Sequence, residues 1–403
     1  MFTYVTRGRS RPLPIYLAAG SIFAALAARN FLLPLRVHEL GADKVQVGLL
    51  FAVFTVTAAG LSLPTGLLSD RFGRRSVVLF SVVTGGVSQL GLALAPNVAP
   101  LYAWQAIGGL GGAASQAALF AALADAVPGA RLGRAMGWLT LSMQGGFLLG
   151  PALAGVSLQW LSLQEALGAS VMLFALALVM TPLGIAAERT PAARFELRAP
   201  LQQVMRQRGF LAATAGLFGA TLIWGTLQAY LPLYGTEQLR LPAAQIGYMI
   251  AIQAVVNGLA RVPGGRLVDR SPRRGPLVVA GLATFAVCVA VLPHLGGFWP
   301  ATLLLVASTP PVAVVFISLS VVFGNLSTQE TRGVAMGIYS TVLYAGLGIG
   351  PVVFGTVLET SGYVAGFTAC AVTGLLFAGL VALLRTERAR RTSPLVAGGS
   401  QEA

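Results

Sequence analysis

The chain has 403 residues, of which 56% are apolar and 10% are charged, and its formal net charge is +14. Soluble domains carry about 25% charged residues, so this composition excludes an ordinary soluble protein and indicates a chain that lies in a bilayer. Two cysteines exclude a disulfide framework, and two histidines leave little material for a metal centre or an enzyme site. We therefore expect no enzyme activity, no metal and no cofactor.

Twelve runs are long and apolar enough to cross a bilayer as helices, which takes about 20 residues each. We number them spans 1 to 12, and they begin near residues 14, 46, 76, 100, 135, 165, 209, 244, 276, 298, 334 and 363. None has the alternation of a strand. Span 1 continues from Pro14 to Leu35 without a small-residue cleavage site, so we expect it to be retained.

The basic residues predict the orientation of the spans. With the N-terminus inside, 22 of the 27 Lys and Arg residues fall on the cytoplasmic side, while Arg36, Lys44 and Arg240 fall outside. This asymmetry follows the positive-inside rule and places both termini in the cytoplasm. It also explains the positive charge without nucleic-acid binding. A ratio of 26 arginines to one lysine favours a bacterial source, and hence the inner membrane.

One long polar stretch divides the chain into two bundles of six spans. The predicted parts are a cytoplasmic N-terminus at 1–13, a bundle at 14–187, a cytoplasmic linker at 188–208, a bundle at 209–385 and a polar, disordered tail at 386–403.

The two bundles are copies of each other in sequence. An offset of 199 residues aligns 64–75 with 263–274, and an offset of 200 aligns 135–155 with 335–355. Each copy holds an even number of spans, so the repeats are parallel and related by an axis along the membrane normal. The predicted fold is an all-α membrane protein of two pseudo-symmetric six-helix bundles.

Two motifs resemble those of the major facilitator superfamily, and the resemblance extends over the whole chain. The loop between spans 2 and 3 resembles the superfamily signature of a glycine, then Asp-Arg, then Gly-Arg-Arg. Its residues are Gly66, Asp70, Arg71, Gly73, Arg74 and Arg75. Span 5 resembles a second signature that is associated with antiporters, although Ala154 stands where a glycine is expected. The resemblance implies a secondary transporter that works by alternating access.

The same resemblance gives the first signature a role. Asp70 is expected to face the start of span 11 near Val334 and to pair with Arg74 and Asp125. Asp70 lies at the carboxyl end of its own helix, where the helix dipole repels a carboxylate, so it needs such partners. The set would then latch the two bundles together on the cytoplasmic side. Alternatively, the arginines only hold a short loop inside.

A second copy of the latch follows span 8 and departs from the signature. Pro272 replaces the glycine, and Asn325 stands at the position that matches Asp125. The candidate residues of this copy are Gly265, Asp269, Arg270, Arg273 and Arg274.

Spans 5 and 11 each carry a Gly-Pro pair in mid-span. Proline removes a backbone hydrogen bond and bends a helix, and small residues around the bend are expected to allow close packing against the opposite bundle. The residues at the two bends are Gly146, Gly150, Pro151, Gly155, Gly346, Gly350, Pro351 and Gly355.

Polar residues within the spans predict a central wet cavity, because polar groups in hydrocarbon are costly unless they face water or a partner. The candidates are Arg29, Asn30, Gln105, Gln116, Trp224, Gln228, Gln253, Asn257 and Arg261. Arg29 and Arg261 either reach a membrane surface or bind substrate. All 13 acidic residues lie in loops or at helix ends, so these cations suit an anionic or carboxyl-bearing substrate.

The leading hypothesis is a monomeric secondary transporter that exports a small organic solute, anionic or amphipathic, across the bilayer. The coupling ion, a proton or sodium, stays open, because drug exporters of the superfamily that use protons generally carry a membrane carboxylate. An organic-anion exchanger or importer is the second hypothesis. A lipid translocator or a sensor that does not pump is the third. An ATP-driven pump is disfavoured because the chain has no phosphate-binding glycine loop.

Overall fold

The computed structural model describes residues 11–127, 129–186, 198–207, 209–271, 273–326 and 332–392. Within helices, it leaves the side chains of 63–71, 117, 129–130, 198–200, 332–333 and 385–392 undescribed. None of the described residues forms a strand. The predicted all-helical fold is therefore confirmed.

The spans follow the apolar runs of the sequence. Spans 1 to 6 are Pro12–Glu39, Lys44–Phe72, Arg74–Leu94, Ala99–Ala126, Gly129–Ser157 and Leu163–Gly184. Spans 7 to 10 are Phe210–Glu237, Ala243–Arg270, Arg274–Val291 and Phe298–Asn325. Spans 11 and 12 form one continuous element, Arg332–Thr392.

Gly362 divides that last element into two spans. Its φ of 78° lies in the left-handed region that glycine tolerates and other residues rarely adopt. The apolar part of the element, Val334–Leu384, is 51 residues long, which is enough to cross a bilayer twice. Together with ten further apolar helices in the described part of the chain, this makes twelve spans and an integral multi-pass membrane protein.

Most predicted starts agree with the structure to within two residues, but span 5 begins at Gly129 rather than near 135. The reason is that hydropathy detects only the part of a helix that lies in hydrocarbon, and the first turns of span 5 carry Arg131 and Arg134. Span 6 is interrupted at Ser170, between Leu163–Ala169 and Val171–Gly184.

The two polar segments contain more helix than predicted. A short helix, Arg198–Met205, lies in the predicted linker, whose residues 188–197 and 208 lie outside the described residues. The predicted disorder after Arg385 is wrong as far as Thr392, because span 12 continues to that residue. Arg, Ala and Glu dominate this extension and favour helix. Residues 1–10 and 393–403 are not described.

Hydrogen bonds at the helix starts explain several of the boundaries. Asp43 Oδ1 accepts from the Gln46 N–H at 2.7 Å while Gln46 Oε1 accepts from the Asp43 N–H at 3.2 Å, which is a capping box at the start of span 2. Ser162 and Glu165 form another capping box at the start of span 6. Span 1 begins with Pro12, which fits the first turn of a helix.

Successive spans run in opposite directions, so the loops collect at two ends of the molecule. We call the end that holds 71–75, 131–134 and 266–274 the arginine-rich end, and the opposite end, where span 2 begins, the Lys44 end. We call spans 1 to 6 the first half and spans 7 to 12 the second half. The halves meet along spans 2 and 11 and along spans 5 and 8.

Candidate functional site

A repeated backbone contact joins the two halves near the Lys44 end. Gly48 of span 2 lies against the Pro351 carbonyl of span 11, and Gly247 of span 8 lies against the Pro151 carbonyl of span 5. A Cβ added to Gly247 would come within 2.6 Å of the Pro151 oxygen, and one added to Gly48 would overlap the Pro351 oxygen. The glycines and the prolines are equivalent under the repeat, so the two contacts are related by the pseudo-symmetry.

Lys44 joins the halves by charge at the same end. Its Nζ lies 3.2 Å from Glu237 Oε2 at the end of span 7 and 3.7 Å from Glu359 Oε2 near the end of span 11. Its backbone N–H donates to the same Glu359 oxygen at 3.1 Å. The Lys44 and Glu237 side chains are only 17% and 24% exposed, so water screens this pair less than an ion pair on an open surface.

Two tyrosines of the second half extend this contact. The Tyr363 hydroxyl donates to Glu237 Oε2 at 3.0 Å, and the Tyr363 ring centroid lies 5.2 Å from Lys44 Nζ. The Tyr230 hydroxyl lies 2.7 Å from the carbonyl oxygens of both Lys44 and Pro351 and can donate to one of them at a time. We call the resulting set the Lys44 cluster. It consists of Lys44, Tyr230, Glu237, Glu359 and Tyr363.

The halves diverge toward the arginine-rich end. Gly137 lies 18 residues before Gly155 on span 5, and Gly265 lies 18 residues after Gly247 on span 8. Because 18 residues make about five turns, each pair shares one helix face. Gly155 and Gly247 are packed across the halves, whereas a Cβ added to Gly137 or Gly265 would have no described atom within 4 Å. The faces that touch at one end are therefore open at the other.

The signature residues lie at the open end. Gly66, Asp70 and Arg71 belong to span 2, but their side chains lie outside the described part, so the predicted contact of Asp70 with Val334 stays a prediction. Gly73 is the single residue between spans 2 and 3, and its φ of 88° explains a glycine at that position. Arg75 is half-buried.

One predicted pair of the latch is in contact. Arg74 Nε lies 3.3 Å from Asp125 Oδ2, which ties the start of span 3 to the end of span 4 within the first half. In the second copy, Asp269, Arg270 and Arg273 are exposed. The rest of that copy, Gly265 and Arg274, is half-buried.

The glycines at the two bends divide between two roles. Gly150 packs on the backbone of Ala24 in span 1, and its repeat counterpart Gly350 packs on the backbone of Leu222 in span 7. Gly146 and Gly346 contact the same two spans. The expectation that all of these residues pack against the opposite half is therefore wrong for four of them.

Only the last glycine of each bend faces the other half. A Cβ on Gly155 would lie 3.1 Å from the Ala243 oxygen of span 8, and one on Gly355 would lie 2.9 Å from the Lys44 oxygen of span 2. These two contacts are again equivalent under the repeat.

A chain of polar groups crosses between the halves near mid-span. Gln144 Nε2 of span 5 donates to Asn257 Oδ1 of span 8 at 3.0 Å, and Arg261 Nε donates to the same oxygen at 3.2 Å. Tyr339 of span 11 interacts electrostatically with Arg261. Arg261 is exposed, so the structure places it beside the open space of the arginine-rich end rather than in the contact itself.

Arg29 does not reach a membrane surface. Its side chain is buried, with the residue only 4% exposed, and its guanidinium carbon lies 3.9 Å from the ring centroid of Phe54 in span 2. Gly108 of span 4 leaves room for it, because a Cβ there would lie 3.0 Å from Arg29 Nη1. Tyr344 of span 11 interacts with it electrostatically. Arg29 thus lies where spans 1, 2, 4 and 11 approach one another.

Two glutamines of the predicted cavity are buried with one unpaired atom each. Gln105 is 1% exposed and donates to the Leu50 carbonyl oxygen at 3.1 Å, while its Oε1 has no described partner. Gln253 is 6% exposed, and its Nε2 has no described partner. Buried polar atoms are normally hydrogen-bonded, so these two atoms are exceptions among the buried polar groups of the described residues.

The remaining predicted cavity residues are less informative. Asn30 and Gln228 are half-buried, and Gln116 is exposed. Trp224 packs on Phe285 of span 9, with ring centroids 6.1 Å apart, and belongs to the apolar core of the second half. Its place in the predicted cavity wall is therefore not supported, because sharing a helix face with Gln228 does not fix the direction of a large ring.

A groove of about 440 Å³ between spans 8 and 10 is lined by apolar residues. Its lining includes two prolines that lie inside these helices, Pro263 and Pro310. Within the described residues, no group of three or more His, Cys, Asp and Glu side chains could hold a metal ion.

Sequence reasoning missed the Lys44 cluster. Its members were counted only as charges at helix ends, since Lys44 and Glu359 are 315 residues apart. A signal was present, because the start of span 2 and the ends of spans 7 and 11 must lie on the same side of the membrane.

The chain is similar to known membrane proteins over nearly its whole length. The sequence model of the Major Facilitator Superfamily matches residues 15–324 and, in an overlapping second match, 236–402. An MFS-type transporter of Methanocaldococcus jannaschii is 22% identical over 381 residues, 91% of this chain and 96% of that protein. The quinolone resistance protein NorA of Staphylococcus aureus is 21% identical over 350 residues, 84% and 87% of the two chains.

Solved structures share the fold. A bacterial homolog of the human lysosomal transporter Spinster, in an inward-facing and unoccupied conformation, has a TM-score of 0.76 at 14% identity, over 94% of this chain and 96% of that one. The human organic anion transporter MFSD10 has a TM-score of 0.66 at 19% identity, over 92% and 98%. The match to the family model over nearly the whole chain shows that this protein is a transporter of the Major Facilitator Superfamily.

Proposed function

We propose that the protein is a secondary transporter in which the two halves rock about a polar middle layer, so that the Lys44 end and the arginine-rich end open in turn. The observation that carries this proposal is the pair of repeated faces on spans 5 and 8, which touch at Gly155 and Gly247 and are open at Gly137 and Gly265. In a rigid bundle, we would expect the two faces to be packed along their whole length. Parallel repeats are typical of transporters that work in this way.

The positive-inside rule assigns the arginine-rich end to the cytoplasm of a bacterial cell, with both termini inside. The structure then corresponds to an inward-open state of an inner-membrane protein. The fold neighbour described as inward-facing supports this assignment.

Two sets of charges would hold the two end states. The Lys44 cluster closes the outer side in the present state, because its ion pairs join Lys44 of the first half to Glu237 and Glu359 of the second. The latch of Asp70, Arg74 and Asp125 would close the inner side in the outward-open state by reaching the start of span 11. Each set must break while the other forms, and this exclusion is the physical basis of alternating access.

Export of a small organic solute by the monomer is the direction we propose. The relative named for quinolone resistance and the antiporter-like signature on span 5 support it. The acidic residues of the sequence lie in loops or near helix ends, so a coupling proton or sodium ion would act outside mid-membrane, and we place it at Glu237 or Glu359 of the Lys44 cluster.

Two other functions each have an observation in their favour. Exchange or import of organic anions is favoured by Arg29, a buried cation with no carboxylate at its depth, and by the fold of an organic anion transporter. Lipid translocation is favoured by the apolar groove between spans 8 and 10.

Flux into proteoliposomes tests the proposal and separates these alternatives. Norfloxacin, a fluorescent quinolone, would be followed under imposed pH, sodium and potential gradients, with Asp70→Asn protein as the matched control. We expect gradient-driven norfloxacin flux that falls at least several-fold in the Asp70→Asn variant. Flux that ignores every gradient but responds to anions on the opposite side would support exchange. Lipid scrambling without solute flux would contradict the proposal.

A further inference from the structure

Arg29 lies deep in the membrane, out of reach of both surfaces. It is ten residues from the end of span 1 at Glu39 and 17 residues from the start at Pro12. At 1.5 Å per residue, these separations are about 15 Å and about 26 Å along the helix. An arginine side chain is much shorter than either distance, and this one is 4% exposed. It therefore cannot place its charge in bulk water.

No acidic side chain is available at that depth. All 13 Asp and Glu residues of the sequence lie in loops or near helix ends. The guanidinium lies against the Phe54 ring and beside Gly108, and it interacts electrostatically with Tyr344. Its Nε has no hydrogen-bond partner among the described residues. A buried guanidinium with five donors is normally paired, because an uncompensated charge in a medium of low dielectric is strongly unfavourable.

The surroundings of Arg29 fit an anion that is attached to an apolar body. Phe54 offers a ring face, and Tyr344 of the opposite half interacts with Arg29 electrostatically. These two residues belong to spans 2 and 11, which form one of the two seams between the halves. A ligand held by Arg29 would therefore contact both halves, as a substrate must if its binding is to change how they pack.

We propose that Arg29 is the anion-binding residue of the substrate site, and that the substrate carries a carboxylate or sulfonate on an aromatic-sized apolar body. This inference rests on the proposed transport function and specifies its substrate class. The anion supplies the counter-charge that the chain lacks, and the planar guanidinium can hold it through two parallel hydrogen bonds.

A purely structural role is the competing explanation, in which Arg29 only fastens span 1 to span 2 through its contact with Phe54. The two roles predict opposite changes in stability when no ligand is present. If Arg29 has no counter-charge until an anion binds, replacing it with the apolar Met removes an uncompensated charge. The substitution then raises the unfolding temperature of purified protein in maltoside. If Arg29 is structural, the same substitution lowers that temperature.

Arg36 provides a matched control on the same helix. It lies about two turns from Arg29, its side chain is 11% exposed, and it is paired with Glu39 at 2.7 Å. We expect Arg36→Met to lower the unfolding temperature or leave it unchanged, because that substitution breaks an existing ion pair. A rise in both variants would show a general effect of Met and would overturn the inference from stability.

Binding gives the second, independent readout. Thermal stabilisation of the purified protein would be titrated with 2-naphthoate, 2-naphthalenesulfonate and the uncharged 2-naphthamide. We expect the two anions to bind and the amide to bind at least tenfold more weakly. Arg29→Met should lose at least tenfold in affinity for both anions and leave the weak amide binding unchanged, while Arg36→Met binds the anions as the wild type does.

Equal binding of amide and anions, absence of binding by both anions, or full anion affinity in Arg29→Met would overturn the inference. Such a result would leave the proposed function intact, provided that norfloxacin flux or interchange of the two end states is still observed. If the protein binds both anions through Arg29 but shows neither flux nor interchange of the two end states, the transport proposal is overturned and the anion site at Arg29 still stands.

Discussion

Lys44 holds two carboxylates of the opposite half through one ammonium group, and the three charged members of its cluster lie at or near helix ends. The Lys44 ammonium lies within 4 Å of both carboxylates, although Glu237 and Glu359 are far from it in the sequence, on spans 7 and 11. Nothing in the local sequence around Lys44 distinguishes it from an ordinary loop charge. Only the fold brings the three residues together.

Replacing Lys44 with Gln should favour opening of the Lys44 end. The substitution removes both ion pairs of Lys44, and loss of the closer one, with Glu237, by itself costs about 1 kcal/mol, which changes a two-state ratio about fivefold. Thr55 is 5% exposed and packs against Gly348 across the seam, so a cysteine there reports the opening in a background that lacks Cys288 and Cys370. A membrane-impermeant thiol reagent added outside intact cells should label Thr55→Cys about fivefold faster when Lys44→Gln is present.

Arg36→Gln is the control for that experiment, because Arg36 pairs with Glu39 within its own span and does not join the halves. An equal increase in both variants, or no increase with Lys44→Gln, would contradict the assignment of the Lys44 cluster as the outer closure.

Spans 5 and 11 show what could be read from the sequence at the scale of elements. Their equivalence follows from the Gly-Pro pairs and the 200-residue offset, and the resemblance to the superfamily is confirmed. The direction of their glycines was misjudged. Gly155 is nine residues from Gly146, about two and a half turns, so the two must lie on opposite helix faces. Helical periodicity alone would have separated the residues that pack within a half from those that pack between halves.

The ends of the spans were harder to predict. Hydropathy detects only the part of a helix that lies in hydrocarbon. It therefore finds neither the start of span 5 at Gly129 nor the extension of span 12 to Thr392. The break at Ser170 was also missed, since its apolar neighbours read as one continuous run.

A side chain at Gly247 should prevent the Lys44 end from closing. Gly247→Val would press two methyl groups into the Pro151 carbonyl, whereas Gly265→Val lies on the same face of span 8 where no described atom is within 4 Å. Spin labels at Gln159→Cys and Gln245→Cys, exposed residues near the Lys44 ends of spans 5 and 8, would measure the gap. We expect the short-distance population to fall at least several-fold in Gly247→Val and to persist in Gly265→Val. The same distance distribution in both variants would contradict the role of this contact.

The whole molecule is a pair of related bundles whose shared faces are packed at one end and open at the other. The sequence predicted the number of spans and the repeat, because hydropathy and duplication are properties of long stretches. It could not predict which end is closed, because that depends on contacts between residues far apart in the chain, such as Lys44 with Glu237 and Glu359.

The orientation in the membrane is a separate prediction at this scale. Reporter fusions after residue 40 and after residue 238 should report the outside of the cell, because both positions lie at the Lys44 end while 22 of 27 basic residues lie at the other side or in the tails. A fusion after residue 130 is the control and should report the cytoplasm. A cytoplasmic signal at 40 and 238 would reverse the assignment of the two ends.

The most direct test of the rocking mechanism measures both ends of the seam between spans 5 and 8 on otherwise identical protein. One spin-label pair, Gln159→Cys with Gln245→Cys, spans the Lys44 end, and a second pair of exposed positions, Arg134→Cys with Arg266→Cys, spans the arginine-rich end. Each pair would be measured in wild-type protein and with Lys44→Gln. The mechanism predicts that each label pair shows two distances, one for each end state. Lys44→Gln should shift the pair at the Lys44 end toward its longer distance and the pair at the arginine-rich end toward its shorter distance. A single fixed distance at either end, or lengthening at both ends together, would contradict it.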